Sequence, residues 1–276
     1  SWNDASSWIV SSSGQPGITI PQANDTLIVR HHILASGSFT CESGMIIIET
    51  NGYIDAPAAT FIIRGASTID CAGQLSCYNL EIRQQAGFTL RPQGKATIAG
   101  LLVVEDYSGF SIQCDGNKYG SLITNGNIEG TISAEYDVEA NNNQLVSSPL
   151  AGAQSGVFLN MYLRNYDEPA SAWSEYIVPT TVPMSPMEGF EVLSLYNDKR
   201  VFTGIPNMGE QRIDLTSEGN RWNLIGNPYP SYLDWNLLAS GNDAGIYPEG
   251  INTIYYPDNT GSGNYSVYCP GEEPVS

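Results

Sequence analysis

The length of the apolar runs constrains this chain more than any other feature. Leu27-Ile28-Val29, Ile46-Ile47-Ile48, Phe61-Ile62-Ile63, Leu80-Glu81-Ile82, Phe88-Thr89-Leu90, residues 101–104, Phe110-Ser111-Ile112 and Leu122-Ile123 each end after a few residues, and the stretches between them carry Gly, Asn or Asp. Such runs are too short for helices and right for strands. They recur at intervals of roughly eight to twenty residues with no helical period between them, which argues against βαβ units. A coil of a β-helix cannot bury its apolar face alone, so coils stack into a continuous core. The irregular spacing and the Gly at many corners favour an N-terminal parallel β-helix (solenoid) over a β-sandwich for about residues 30–135. The first residues, with Trp2, Trp8, Pro16 and Pro21, are expected to cap its open sheet edges.

Near residue 140 the character changes. Asn141-Asn142-Asn143 is a polar break, and Trp, Tyr, Met and Pro become frequent beyond it. The expected organisation is a capped β-helix over residues 1–137 and an antiparallel, β-sandwich-like domain over residues 138–276. That second part carries an internal repeat. Leu145-Val146-Ser147-Ser148-Pro149 matches Leu224-Ile225-Gly226-Asn227-Pro228, and Trp173-Ser174-Glu175-Tyr176 matches Tyr265-Ser266-Val267-Tyr268. Each aromatic-Ser-x-Tyr follows an acidic, turn-rich stretch, as two β-hairpins with like tips would give. The first unit continues into a strand over residues 191–196. The second reaches Ser276 before an equivalent strand, so the natural protein is expected to continue.

Composition excludes several function classes. Only 14% of residues are charged, and 11 basic against 29 acidic residues give a net charge of −18. That field repels nucleic acid and anionic membrane surfaces. It serves solubility, or more sharply weak calcium binding outside the cell; no other cofactor is expected. No apolar run is long enough to cross a membrane, so no membrane insertion is expected. No signal peptide opens the chain, and Ser1 is read as the start of a mature or trimmed protein. The five cysteines form no CxxC pair, but Cys71 and Cys77 are close enough in sequence to bridge.

Trp222-Asn223-Leu224-Ile225-Gly226-Asn227-Pro228-Tyr229-Pro230-Ser231, followed by Leu233-Asp234-Trp235, resembles a module of large secreted proteins of the Bacteroidetes. Those proteins commonly end in a type IX secretion sorting domain. Weaker agreement comes from Gly120-Ser121-Leu122-Ile123, from Leu145 to Pro149, from Phe202-Thr203-Gly204, and from the opening Trp2, Trp8 and Asn24-Asp25-Thr26. Asn143 departs from the family, which often has Trp ahead of the Leu-Val-Ser-Ser-Pro segment. The resemblance implies export and display on the cell surface, and it implies no reaction.

Motifs that could carry chemistry each have a structural reading. Gly226-Asn227-Pro228-Tyr229-Pro230 is a turn, with Asn227 able to close an Asx-turn. Trp173, Tyr176, Tyr265 and Tyr268 sit beside the expected hairpin tips and are the candidate ligand-binding residues, since aromatic rings stack on sugars; cross-strand packing is the structural alternative. His31-His32 lies in an expected strand, which would send one ring to each face. Adjacent acids such as Glu105-Asp106 and Asp167-Glu168 are expected in solvated turns. A glycosidase needs two carboxylates on facing elements, and no basic cluster beside paired acids is legible. No HExxH, G-x-S-x-G or P-loop occurs, and Asp258 opens no complete EF-hand loop. Asp25-Thr26-Leu27 fits a short bacterial O-glycosylation pattern, with Thr26 as the acceptor.

The expected function is therefore a non-catalytic secreted or cell-surface module acting as stalk, spacer or adhesive surface, with glycans or another surface protein as partner. The alternatives are a carbohydrate-binding module of a polysaccharide-processing protein, and a β-helix polysaccharide lyase or hydrolase.

Overall fold

The computed structural model describes residues 9–10, 15–16, 22, 24–116, 118–234, 254–257 and 265–268, the first two and last two of these segments as backbone pairings. The expected N-terminal cap around Trp2, Trp8 and Pro21 lies outside the described residues. The protein is all-β, with an N-terminal parallel β-solenoid of about five turns.

Successive coils begin with the strands Thr26–Val29, Met45–Ile48, Thr68–Cys71, Gly87–Leu90 and Gly109–Ile112, which pair in parallel and in register. Each coil then turns onto a second face, through His32–Leu34, the first part of Tyr53–Arg64, the first part of Gln74–Ile82, Lys95–Ile98 and Ser121–Thr124. A third face follows, through Phe39–Glu42, the ends of the two long strands, Leu102–Val104 and Ile128–Glu129. The long strand Tyr53–Arg64 covers two faces because its register breaks between Ala56 and Thr60, around Pro57.

Alternation along each strand sends every second side chain inward. In-register pairing then stacks those side chains into columns. One column runs Val29, Ile48, Cys71, Leu90 and Ile112; another runs Leu27, Ile46, Ile69, Phe88 and Phe110. All ten are buried, and the rings of Phe88 and Phe110 stack with centroids 4.6 Å apart. Burying each large apolar side chain contributes about 1.5–3 kcal/mol, so a column of them outweighs any single surface pair.

One corner of the coil requires glycine. Gly52, Gly73, Gly94 and Gly120 immediately precede the second-face strands and stack one above another. A β-carbon on Gly73 would stand 2.2 Å from the Gly52 carbonyl oxygen, and one on Gly94 would stand 2.3 Å from that of Cys71. No side chain fits so close to backbone.

Past the last coil the pairing changes sense without a break in the sheet. The strand Ile132–Val138 pairs in parallel with Gly109–Ile112 on one side and antiparallel with Asp198–Pro206 on the other; Leu150–Ala151 then extends the edge. Parallel pairing thus gives way to antiparallel across the single strand Ile132–Val138. A separate three-stranded antiparallel sheet places Phe190–Leu193 between Gln144–Val146 and Tyr162–Arg164. One continuous core cluster includes the solenoid columns together with Val146, Phe158, Phe190, Val192 and Phe202. The seam is aromatic: Phe158 meets Tyr136 edge-on at 6.1 Å and Phe202 edge-on at 5.8 Å.

The spacing of Cys71 and Cys77 allowed a bridge, but the structure has both as free, buried thiols. Cys71 points inward from the first face, between Ile48 and Leu90. Cys77 points inward from the second, between Ala56 and Ile98. Burial pushes each thiol up to about 12, which leaves them protonated and unreactive.

Candidate functional site

The hairpin Tyr166–Asp167 and Ala172–Trp173 forms as its repeat predicts, with Tyr166 opposite Trp173. Its counterpart pairs Ile254–Pro257 with Tyr265–Tyr268, which places Pro257 opposite Tyr265. The side chains of Tyr265 and Tyr268 lie outside the described residues, so the site is built from the first hairpin.

Alternation in the strand Tyr162–Arg164 and the residues after it puts Tyr162, Arg164 and Tyr166 on one face. Trp173 leaves the hairpin beside Tyr166, with ring centroids 5.4 Å apart and edge-on. Strand geometry ends there, and the chain runs back along residues 163–165 through Ser174 N–H to Asn165 O (2.9 Å) and Ile177 N–H to Leu163 O (2.8 Å). That return lays Tyr176 beside Tyr162, centroids 5.2 Å apart. Trp173 and Tyr176 therefore meet at one site although three residues apart, because they do not share a regular strand.

The Arg164 guanidinium sits between them, 4.8 Å from the Trp173 ring and 5.6 Å from the Tyr176 ring. It is fixed from below by Glu191, directly opposite on the central strand, through Nε to Oε1 at 2.6 Å. Glu191 is buried, so the pair is partly desolvated and geometrically defined. The result is an aromatic surface with its cation neutralised, on which Tyr162 and Tyr176 stay 45% and 47% exposed. Such a surface favours stacking on uncharged partners. Arg164 was not legible as a site residue, although the Tyr-x-Arg-x-Tyr alternation signals it.

The same hairpin carries a buried anchor. Glu168 is 3% exposed, which corrects the expectation of a solvated turn for Asp167-Glu168. Its carboxylate accepts the backbone N–H groups of Glu218 (3.1 Å), Gly219 (2.9 Å) and Arg221 (2.6 Å). Desolvation raises its pKa, but hydrogen bonds from Thr216, Arg221, Gly219 and Glu218 outweigh that and hold it below the ordinary value. Asn220 also donates to the Tyr166 hydroxyl. An open cleft of about 320 Å³ lies between this hairpin and residues 213–225.

The Gly-Asn-Pro-Tyr-Pro segment is structural, as its turn reading expects. Asn227 Oδ1 accepts the Tyr229 N–H at 2.9 Å, closing the Asx-turn. The segment covers the C-terminal end of the solenoid: Pro230 O accepts Leu122 N–H at 2.7 Å, and Tyr232 bonds the backbone of Tyr119 twice at 3.0 Å. Its repeat partner lies against it. Buried Asn207 donates to both Ser148 O (3.2 Å) and Pro228 O (2.9 Å), and a β-carbon on Gly226 would stand 2.3 Å from that of Ser147. The equivalent positions 147 and 226 touch, so only one can carry a side chain.

The remaining candidates fall apart from this patch. Thr26 is exposed at the start of its strand in the first coil, open to modification. His31 and His32 do not alternate across a sheet, because a corner separates them from the strand Thr26–Val29. Both are exposed. His32 stacks on Tyr53 in the next coil at 4.8 Å. Among the described residues no group of three potential metal ligands occurs, and no helix is long and apolar enough to cross a membrane.

Register also gathers charges that sequence spacing hid. On one corner Arg30 pairs with Glu49 (3.0 Å), Arg91 grips Asp70 through two bonds (2.7 and 2.6 Å) and donates to Gln113 (3.0 Å), and Lys199 binds Glu135 (2.8 Å). On another corner Arg64 pairs with Glu42, and Arg83 reaches Glu81 (2.9 Å) and Glu105 (3.9 Å). Only the coil-to-coil register shows that these residues share a face. No curated protein and no solved structure matches this chain. A family model does match, over residues 55–266: the chain belongs to DUF8693, described as a domain of unknown function.

Proposed function

We propose that this chain is a non-catalytic segment of a secreted or cell-surface protein, a stiff spacer that presents the Trp173–Tyr176 patch as an adhesive surface. The observation that carries this reading is the unbroken sheet from Thr26–Val29 through Ile132–Val138 into Asp198–Pro206. The patch-bearing half is thereby built onto the solenoid instead of hanging from a linker, as a spacer requires. Charge pairs between neighbouring coils stiffen the same axis, and the buried thiols suit an oxidising exterior because they offer no thiolate. In this reading the second half is a sandwich-like domain, its three-stranded sheet facing the extended solenoid sheet across Phe158, Phe190 and Phe202. The resemblance of the Gly-Asn-Pro-Tyr-Pro-Ser segment to exported Bacteroidetes modules supports the location.

The exposed rings of Tyr162 and Tyr176 favour a second reading, a carbohydrate-binding module of a larger polysaccharide-processing protein. One experiment addresses both. The soluble chain is screened on a glycan array with calcium and with EDTA, beside a Trp173→Ala/Tyr176→Ala variant. Saturable binding to one glycan class that the variant loses supports a glycan-directed contact surface. A blank array in both conditions sinks glycan recognition at the patch and leaves a protein partner as its target.

A further inference from the structure

The charged corner of the solenoid forms a second surface, independent of the aromatic patch. Among the described residues it opens a cleft of about 730 Å³ lined by Arg30, Glu49, Asp70, Arg91, Ile47 and Ala72. The polar side chains are well presented: Arg30 is 64% exposed, Glu49 44%, Arg91 46% and Asp70 33%. They come from successive coils, and Gln113 of the next coil continues the line through its bond to Arg91. Neighbouring strands lie about 4.8 Å apart, so Arg30 to Gln113 spans roughly 19 Å over four coil steps.

We infer that this corner binds an extended, uncharged polysaccharide lying along the solenoid axis. Three features support that ligand class. The polar groups recur once per coil, a distance close to the length of one sugar in an extended β-linked chain. Each is planar and presents paired donors or acceptors, the geometry that meets neighbouring hydroxyls on a sugar ring. Ile47 and Ala72 form an apolar floor between them for the C–H face of the ring. Charge fixes the rest. Arg30 is matched by Glu49 and Arg91 by Asp70, so the cleft holds no surplus cation for a polyanion. A chain of net charge −18 repels a polyanion as well.

The test is isothermal titration of the full chain with cellohexaose, mannohexaose and xylohexaose, with their trimers, and with polygalacturonate. Two variants address the cleft. Ala72→Trp fills it without touching a charge pair, and Arg91→Gln removes the guanidinium. Arg212→Gln, which removes an exposed guanidinium outside both the cleft and the patch, is the control, and circular dichroism confirms that each variant folds. The expected result is binding of at least one neutral hexamer, tighter than its trimer, weakened about tenfold or more by Ala72→Trp and by Arg91→Gln, and unchanged by Arg212→Gln. Absence of heat with every neutral hexamer would overturn the inference. So would binding that survives Ala72→Trp, or a preference for polygalacturonate.

Discussion

In the solenoid, the residue across the sheet from any core position is its counterpart one coil away. Ile48 sits between Val29 and Cys71, and Phe88 between Ile69 and Phe110. In the antiparallel half the neighbours are unlike residues distant in sequence: Arg164 opposite Glu191, Ala134 opposite Phe202. The first region specifies itself by repetition, so its stability is spread over many equivalent apolar contacts. The second depends on single polar anchors, each used once: Glu168 holding residues 218–221, Asn207 joining Ser148 to Pro228, Arg164 joined to Glu191. Spread contacts make a stiff rod. Unique anchors make a shaped surface, and the aromatic patch is found there.

The largest expected effect tests whether the two regions share one core. Phe88→Ala should cost about 3–5 kcal/mol, because the ring is wholly buried against Phe110. Thermal unfolding followed by circular dichroism and by protection of the strand Asp198–Pro206 should fall by the same number of degrees; unequal shifts would separate the regions. Gly73→Ala comes next. Its β-carbon meets backbone that cannot move away, and a cost of about 1–3 kcal/mol is expected from the coil displacement. Denaturant melts give that figure directly, and a neutral result would break the claim that repetition of the coil fixes this corner.

Glu168→Gln should act locally. Hydrogen exchange in residues 216–221 should quicken while the solenoid strands stay protected. The same loosening should follow acid. A carboxylate whose pKa is lowered by folding contributes stability that is present above its unfolded pKa and lost as pH falls through the folded one. The residues 216–221 should therefore lose protection only below the ordinary carboxylate range. Loss nearer neutrality would mean that another group holds them. The smallest effect belongs to the exposed ladder. Arg30→Gln should change stability by about 0–1 kcal/mol, measured in denaturant melts at low salt, since its pair with Glu49 is exposed and screened. A much larger loss would mean that ion pairs, and not the apolar columns, hold the coils together.

The solenoid was legible in the sequence because its signal is local. Short apolar runs, punctuated by Gly, state the strands and corners without reference to any distant residue. The paired hairpins were legible for a related reason, since a repeat carries its own comparison. The charged corner was not. Arg30, Glu49 and Arg91 share a face only once the register is known, and coils of unequal length scramble their spacing. Glu168 escaped for another reason: nothing in Asp-Glu-Pro announces that residues some fifty positions later will fold their amides around the carboxylate. Of the patch, Trp173 and Tyr176 were found through the repeat, while Arg164 between them was missed because the Tyr-x-Arg-x-Tyr alternation marks a shared face only once residues 162–166 are known to run as extended chain.

The central claim is that the sheet, and with it the rigidity, runs from the solenoid into the antiparallel half through the strand Ile132–Val138. Native-state hydrogen exchange by mass spectrometry in increasing denaturant tests it most directly. The account predicts that Gly109–Ile112, Ile132–Val138 and Asp198–Pro206 lose protection together, in one cooperative step. Release of Asp198–Pro206 at clearly lower denaturant, with the solenoid strands still protected, would contradict it and leave the patch on an independently moving part.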